Sequence, residues 1–266
     1  MTLFDSPSDV ARLKLIVAYD GSGFHGFARQ REQRTVAGEL RAALSTITQV
    51  PVDITGAGRT DAGVHAWGQV VSCDVPAHLD LRRLRNALNS MLNPHIAIRS
   101  VDVVDADFDA RFSAIWRTYR YTIVNRPVID PFRAGTAWWV GPRMDLRRLM
   151  LGADVFIGEH DFASFCRRRP GGSTTTRRVF DSRWVDEGEG VLRYAIRASA
   201  FCWQMVRSIV GTLVDVGVGR KKPGDLRGIL DARDRSAASQ VAPPHGLSLW
   251  EVGYAETTSA GSSKID

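Results

Sequence analysis

A chain of 266 residues, 44% hydrophobic and 24% charged, has the composition of an ordinary globular protein with material for one large core or two small ones, not of a disordered or fibrous chain. Its net charge of +6 suits a polyanionic partner, and most of its 35 basic residues are arginine, which grips phosphate bidentately and stacks on bases. No apolar run approaches the ~18 residues of a membrane span, and the first residues lack the basic and apolar regions of a signal peptide.

Taken in chain order, Leu13–Asp20 alternates apolar residues and ends at Gly21-Ser22-Gly23, a strand running into a turn. Val36, Leu40, Ala43, Leu44 and Ile47 follow helical spacing, and Thr35 can cap that helix. A short strand is expected near Val52–Thr55, then a Gly-rich loop, then a strand over Trp67–Val75. Leu81, Leu84, Leu88, Met91 and Leu92 predict a second helix capped by Asp80, and Ile96–Val104 a closing strand. The order β-α-β-β-α-β is that of a split ferredoxin-like unit. The second half repeats it more loosely. Strands are expected at Thr118–Val124, Val179–Val185, Val191–Ala198 and Gly246–Tyr254. Helices are expected at Leu146–Leu151 behind Asp145, from near Phe201 to about Val216, and at Leu226–Leu230. The expected fold class is therefore α+β, two similar ferredoxin-like units with antiparallel or mixed sheets and an active-site cleft between them. The first covers 1–106, the second 107–255. Residues 256–266, rich in Ser, Thr and Gly, are expected to be a disordered tail, and 165–178 a mobile loop.

The densest chemical information lies in Gly58-Arg59-Thr60-Asp61-Ala62-Gly63-Val64-His65-Ala66. Glycines permit close backbone approach, so this loop can bring a carboxylate against a ligand, although Gly and Asp also make plain turns. Cys73, Cys166 and Cys202 show no C-x-x-C spacing, which argues against a zinc site or disulfide framework and for a reducing, cytoplasmic setting. The six histidines lack metal-ligand spacing, and no Walker or complete dinucleotide motif is present. Neither a metal nor a cofactor is expected.

The nonamer resembles the signature of the bacterial tRNA pseudouridine synthase A family. Further boxes follow in family order: Tyr19-Asp20-Gly21-Ser22-Gly23-Phe24-His25-Gly26-Phe27, Asp109-Ala110-Arg111-Phe112-Ser113-Ala114 with Tyr119-Arg120-Tyr121, His160-Asp161-Phe162-Ala163-Ser164-Phe165, Met205-Val206-Arg207-Ser208-Ile209-Val210-Gly211, and Gly246-Leu247-Ser248-Leu249. The resemblance spans roughly Leu13 to Tyr254. It implies a cofactor-independent isomerase that converts uridine to pseudouridine in the anticodon stem-loop of tRNA, at nucleotides 38 to 40. It also implies a homodimer with tRNA lying across both subunits. Carried over by position, it makes Asp61 the catalytic carboxylate, acting as nucleophile or base, Tyr119 the residue that stacks on uracil, and Arg207 the partner of Asp61.

Each of these residues also has a plain structural reading. A carboxylate that attacks or accepts a proton works in its charged form, which a neighbouring guanidinium favours. Arg207, at the edge of an apolar helical arc, could supply that guanidinium or could snorkel to water. Tyr119 and Tyr121 share a strand face, where aromatics usually pack across strands; packing is accepted for Tyr121, and stacking on the target base expected for Tyr119. Arg59 could fill the stack vacated by an extruded base or lie on a turn surface. The Arg167–Arg169 run could touch phosphate or be a solvated loop. The chain departs from the family where Cys202-Trp203-Gln204 replaces the usual x-His-His, and Ala37 stands where Gln is common. A non-catalytic RNA-binding module on the same fold is the alternative, and a phosphate-cradling enzyme a weaker one. Asp61 discriminates, because a pure RNA binder has no use for a carboxylate near phosphates.

Overall fold

The alternation of Leu13, Leu15 and Val17 and the capped helices that follow do become strands and helices in the computed structural model, which describes residues 10–167 and 174–255. The elements in chain order are β1 (Val10–Tyr19), α1 (Val36–Thr48), β2 (Ile54–Gly56), β3 (His65–Pro76), α2 (Leu81–Leu92), β4 (Ile96–Val103), β5 (Ala114–Val124), β6 (Trp138–Trp139), α3 (Leu146–Asp154), β7 (Gly158–Asp161), β8 (Thr176–Asp186), β9 (Val191–Ala198), α4 (Met205–Gly217), α5 (Asp225–Ala232) and β10 (Leu247–Tyr254). The class is α+β. Thr35, Asp80 and Asp145 cap α1, α2 and α3 as their sequence positions suggest, each side chain accepting a first-turn N–H that would otherwise be unpaired.

The ten strands among the described residues belong to one mixed sheet, in the order β4-β1-β3-β10-β5-β9-β8-β7, with β2 on β3 and β6 on β5 beside that path. Neighbours are antiparallel except at β3–β10 and β5–β6. One edge of β3 is shared: its first residues pair with β10, Ser248 opposite His65 and Leu249 opposite Ala66, while Val71, Ser72 and Cys73 pair with β2. The short β3–β10 pairing is the seam where the two halves of the chain meet. Helices cover the larger of two apolar clusters among the described residues, which holds Leu13, Leu15, Val17, Leu40 and Leu44 of the first half and Tyr121, Ile123, Ile209 and Leu213 of the second; the smaller gathers Ala57, Val70 and Ala110. Helix α4 is apolar on nearly every side and all its residues except Arg207 and Asp215 are buried, as an all-round hydrophobic helix requires.

Several expectations need correction. The last long helix starts at Met205, not near Phe201, because Gln204 adopts a left-handed backbone (φ 64°) that no right-handed helix can include. Strand β5 begins at Ala114, so Tyr119 lies inside the strand, opposite Leu249 and Ile196, not at its start. The second strand is shifted to Ile54–Gly56. Strands β6 and β7 had no counterpart in the reading, being two and four residues long. Cys166 and Cys202, expected to be unpaired, form a disulfide with Cα atoms 5.6 Å apart, since the fold brings together residues that no local spacing connects. Of the expected mobile loop, 165–167 and 174–178 are described, and Arg168, Arg169 and the tail at 256–266 lie outside the described residues.

Candidate active site

The Gly-rich loop joins β2 to β3 and is fastened from below. Gln69, buried in β3, offers its side-chain amide to Gly58 as a second backbone would: Gly58 N–H donates to Oε1 (3.2 Å) and Nε2 donates to the Gly58 carbonyl (2.8 Å). Arg117 on β5 donates through Nε and Nη2 to the Ala57 carbonyl (3.3 and 3.1 Å) and also reaches the carbonyls of Arg111 and Ser199. Tyr19 and Thr60 share a buried hydroxyl–hydroxyl hydrogen bond of 2.7 Å. Burial pushes the Tyr19 phenol up to about 12 against the opposing hydrogen bonds of Thr60 and Gln69, so it is a neutral strut. Gly26 (φ +92°) passes directly beneath, and a Cβ there would stand 2.7 Å from the Thr60 carbonyl, which leaves glycine as the residue that fits. Gln69 and Arg117 were not singled out from sequence, and Tyr19 and Thr60 appeared there only as members of their motifs, with no role assigned. A buried glutamine in an otherwise apolar strand was the one local signal that could have found the first of them.

Asp61 stands half-buried at the crest of this scaffold and meets the second half of the chain. Arg207 Nη1 donates to its Oδ2 at 3.2 Å, and the Trp203 indole nitrogen donates to its Oδ1 at 3.0 Å. The Arg207 side chain is 14% exposed and that of Asp61 28%. Arg207 therefore does not reach into solvent. It is held through Nε to the Ala242 carbonyl (2.7 Å), while Ala242 N–H returns a bond to the Arg207 carbonyl (3.1 Å). A cation in the first turn of α4 opposes the helix dipole, and the Asp61 carboxylate relieves that conflict.

These residues line a cavity of about 890 Å³ open to solvent, walled by the Gly56–Asp61 loop, Arg117, Tyr119, the 200–207 segment and Leu247. Such a volume admits a nucleoside with its neighbouring backbone. Tyr119 forms part of the wall, its ring edge-on to Phe201 with centroids 4.9 Å apart. Burial, with smaller contributions from Tyr19 and Asp61, raises the pKa of its hydroxyl well above that of free tyrosine. Tyr121 is fully buried and donates to the Pro243 carbonyl (2.8 Å), away from the cavity wall. Arg59 is exposed on the cavity rim and has no ion-pair partner among the described residues. Arg167 also lines the cavity, its guanidinium lying 4.5 Å over the Trp203 ring. Thus Asp61, Arg207, Tyr119 and Arg59 gather around one cavity, with Trp203 as the contact that sequence reading did not anticipate. Among the described residues, no group of three or more His, Cys, Asp or Glu is arranged to hold a metal ion. Among the described residues no helix is long and apolar enough to cross a membrane.

Residues 15–113 and 153–255 match the model of a family described as tRNA pseudouridine synthase. Residues 114–152, which include Tyr119, lie between the two matched segments. Proteins described as tRNA pseudouridine synthase A are similar over nearly the whole chain. That of Brevibacillus brevis is 43% identical over 243 residues, 91% of this chain and 99% of the relative. That of Leifsonia xyli subsp. xyli is 41% identical, covering 91% of each. That of Bacillus subtilis is 38% identical, covering 91% of this chain and 99% of the relative.

Proposed function

Because the chain belongs to the tRNA pseudouridine synthase family, we propose that the cavity around Asp61 isomerises uridine to pseudouridine in the anticodon stem-loop of tRNA, at positions 38 to 40. The chain is an isomerase: the C1′–N1 bond of the nucleoside breaks, the uracil turns within the pocket, and a C1′–C5 bond forms while C5 gives up a proton and N1 gains one. Nothing is oxidised and no group is lost to water, so this chemistry asks for no cofactor. Our reading makes Asp61 the carboxylate that acts on ribose or ring, Arg207 the residue that orients it, and Tyr119 the floor on which the base stacks. In the same reading Arg59, at the rim, enters the stem where the target base has swung out. The observation that carries this reading is the paired Asp61–Arg207 contact of 3.2 Å at a cavity large enough for an extruded nucleotide.

Strand order supports the two-unit architecture within this proposal. The first half runs β4-β1-β3-β2 and the second β10-β5-β9-β8, the same order twice. We read these as two ferredoxin-like units, 1–106 and 107–255, with the cleft between them. A cytoplasmic homodimer, with tRNA crossing both subunits, completes the reading.

Asp61→Ala should abolish pseudouridine formation while tRNA binding persists, because the substitution removes the reacting group and leaves the arginine-rich surface intact. Chemical mapping of pseudouridine in unmodified tRNA, beside a binding titration, checks this. Equal product from wild type and variant would defeat the proposal. Loss of binding in step with activity would point instead to the RNA-binding alternative.

A further inference from the structure

The two oxygens of Asp61 are not equally served by one partner; each has its own donor, Arg207 on Oδ2 and the Trp203 indole on Oδ1. We propose that Trp203 is a positioning residue for the isomerisation: it is the second of two donors that fix the plane of the Asp61 carboxylate and turn its remaining lone pairs toward the cavity. This deepens the reading above and rests on Asp61 being the reacting carboxylate.

A carboxylate bound through one oxygen can rotate about its Cβ–Cγ bond. Donors on both oxygens, supplied by residues that flank the start of α4, remove that freedom. Each carboxylate oxygen accepts in about two directions, so one donor apiece leaves Asp61 with capacity to attack or to accept a proton. Near-attack geometry is worth several powers of ten in rate, and small rotations of the attacking group forfeit much of it. The indole N–H suits the task because it is a donor only and does not change protonation in the working range.

Trp203 is itself held on several sides. The left-handed turn at Gln204 separates it from α4, and its indole nitrogen donates to Asp61. Its carbonyl accepts from the Arg167 backbone N–H at 2.9 Å. The Arg167 guanidinium lies 4.5 Å over the ring, where a cation draws density from the indole and strengthens its N–H as a donor. A tryptophan serving only as apolar wall requires none of this alignment.

The test compares W203F and W203H with wild type on unmodified tRNA. Phenylalanine keeps a ring beneath Arg167 and loses the donor. Histidine keeps a donor, because its Nε2 stands two bonds from Cγ as the indole nitrogen does. In W203F kcat should fall about ten- to a hundredfold, the worth of one hydrogen bond to a charged group, with tRNA Kd unchanged, and W203H should recover most of the loss. Full rate in W203F, or equal losses in both variants, overturns the proposal. A second measurement does not depend on either variant folding: of the seven tryptophan indole N–H resonances, one should move upfield in Asp61→Ala. No indole resonance moving overturns the proposal too. An inactive Asp61→Ala beside a fully active W203F would sink this inference alone, whereas pseudouridine formed by Asp61→Ala would sink the reading beneath it.

Discussion

Tyr119 lies in the middle of β5, hydrogen-bonded sheet on both sides, and that address limits what its hydroxyl can do. Burial raises its pKa far above the assay range, so in the free protein it is a neutral phenol that donates, not a phenolate that accepts. Its ring is fixed edge-on to Phe201, and its hydroxyl lies near Gly58 of the Gly-rich loop: a Cβ built on Gly58 would be 3.5 Å from that oxygen. Tyr119→Phe keeps the aromatic ring and removes the hydroxyl. We expect kcat to drop about tenfold or more, with little change in tRNA affinity, the loss typical of a donor acting at the reacting centre. Steady-state kinetics beside a binding titration decides it. An unchanged kcat would reduce Tyr119 to a platform.

At the scale of the element, α4 determines where Arg207 points, and α4 is in turn seated by Gly211. A Cβ there would come within 1.9 Å of the Gln240 carbonyl, in the same segment that holds Arg207 through Ala242. Gly211→Ala would improve helix propensity by about 1 kcal/mol. It would nevertheless force helix and segment apart, an overpacking cost of about 1–3 kcal/mol beyond that gain. Thermal melts should show a midpoint several degrees lower, and activity should fall further than stability does, because the shift carries Arg207 away from Asp61. A melting midpoint at or above that of wild type would refute the account. The same helix illustrates what was legible in sequence. Its apolar character and the arginine within it could be read directly, as could the caps Thr35, Asp80 and Asp145, since these are signals of period and neighbour. Its true start could not. That start depends on Gln204 turning left-handed so that Trp203 meets an aspartate 142 positions away. Gln69 and Arg117 escaped for a similar reason: the groups they satisfy belong to other strands and loops. The disulfide joins residues 36 apart that no motif pairs, and β6 and β7 are too short to show a period.

For the whole molecule, the site exists only while the two halves stay joined, since Asp61 comes from one and Arg207 from the other. The joint draws on Arg117, which donates from β5 to the Ala57 carbonyl, as well as on the Asp61 contacts. Beyond the short β3–β10 pairing it uses His65, whose Nδ1 accepts from Gly21 N–H at 3.1 Å. The His65 Nε2 lies 3.0 Å from the His245 carbonyl and 3.1 Å from that of Gly135, and its Nδ1 also lies 3.1 Å from Asp20 Oδ1. The His245 side chain sits beside this joint with its pKa lowered from 6.5. Burial is the largest cause, the charges of His65 and Arg207 add to it, and a hydrogen bond to the Ala137 backbone opposes it. Because the folded form binds this proton less readily than the unfolded chain, the stability it contributes is complete above about pH 6.5 and is lost as pH falls through the lower, folded value. Asp20 acts in the same direction at lower pH. Partial burial raises its pKa, but hydrogen bonds from Ser22 and the neighbouring His65 and His95 outweigh that and leave it below 3.8. Its contribution is present above the unfolded value and disappears as pH falls through the folded one. Acid should therefore loosen the seam in two stages, the first set by His245. In melts from about pH 7.5 down to about pH 5, the wild-type midpoint should fall more steeply than that of His245→Asn, which has no side-chain proton to take up. Pseudouridine formation should decline over the same interval with the loss of the Asp61–Arg207 pair. Parallel melting profiles for the two proteins would show that His245 does not report on the joint.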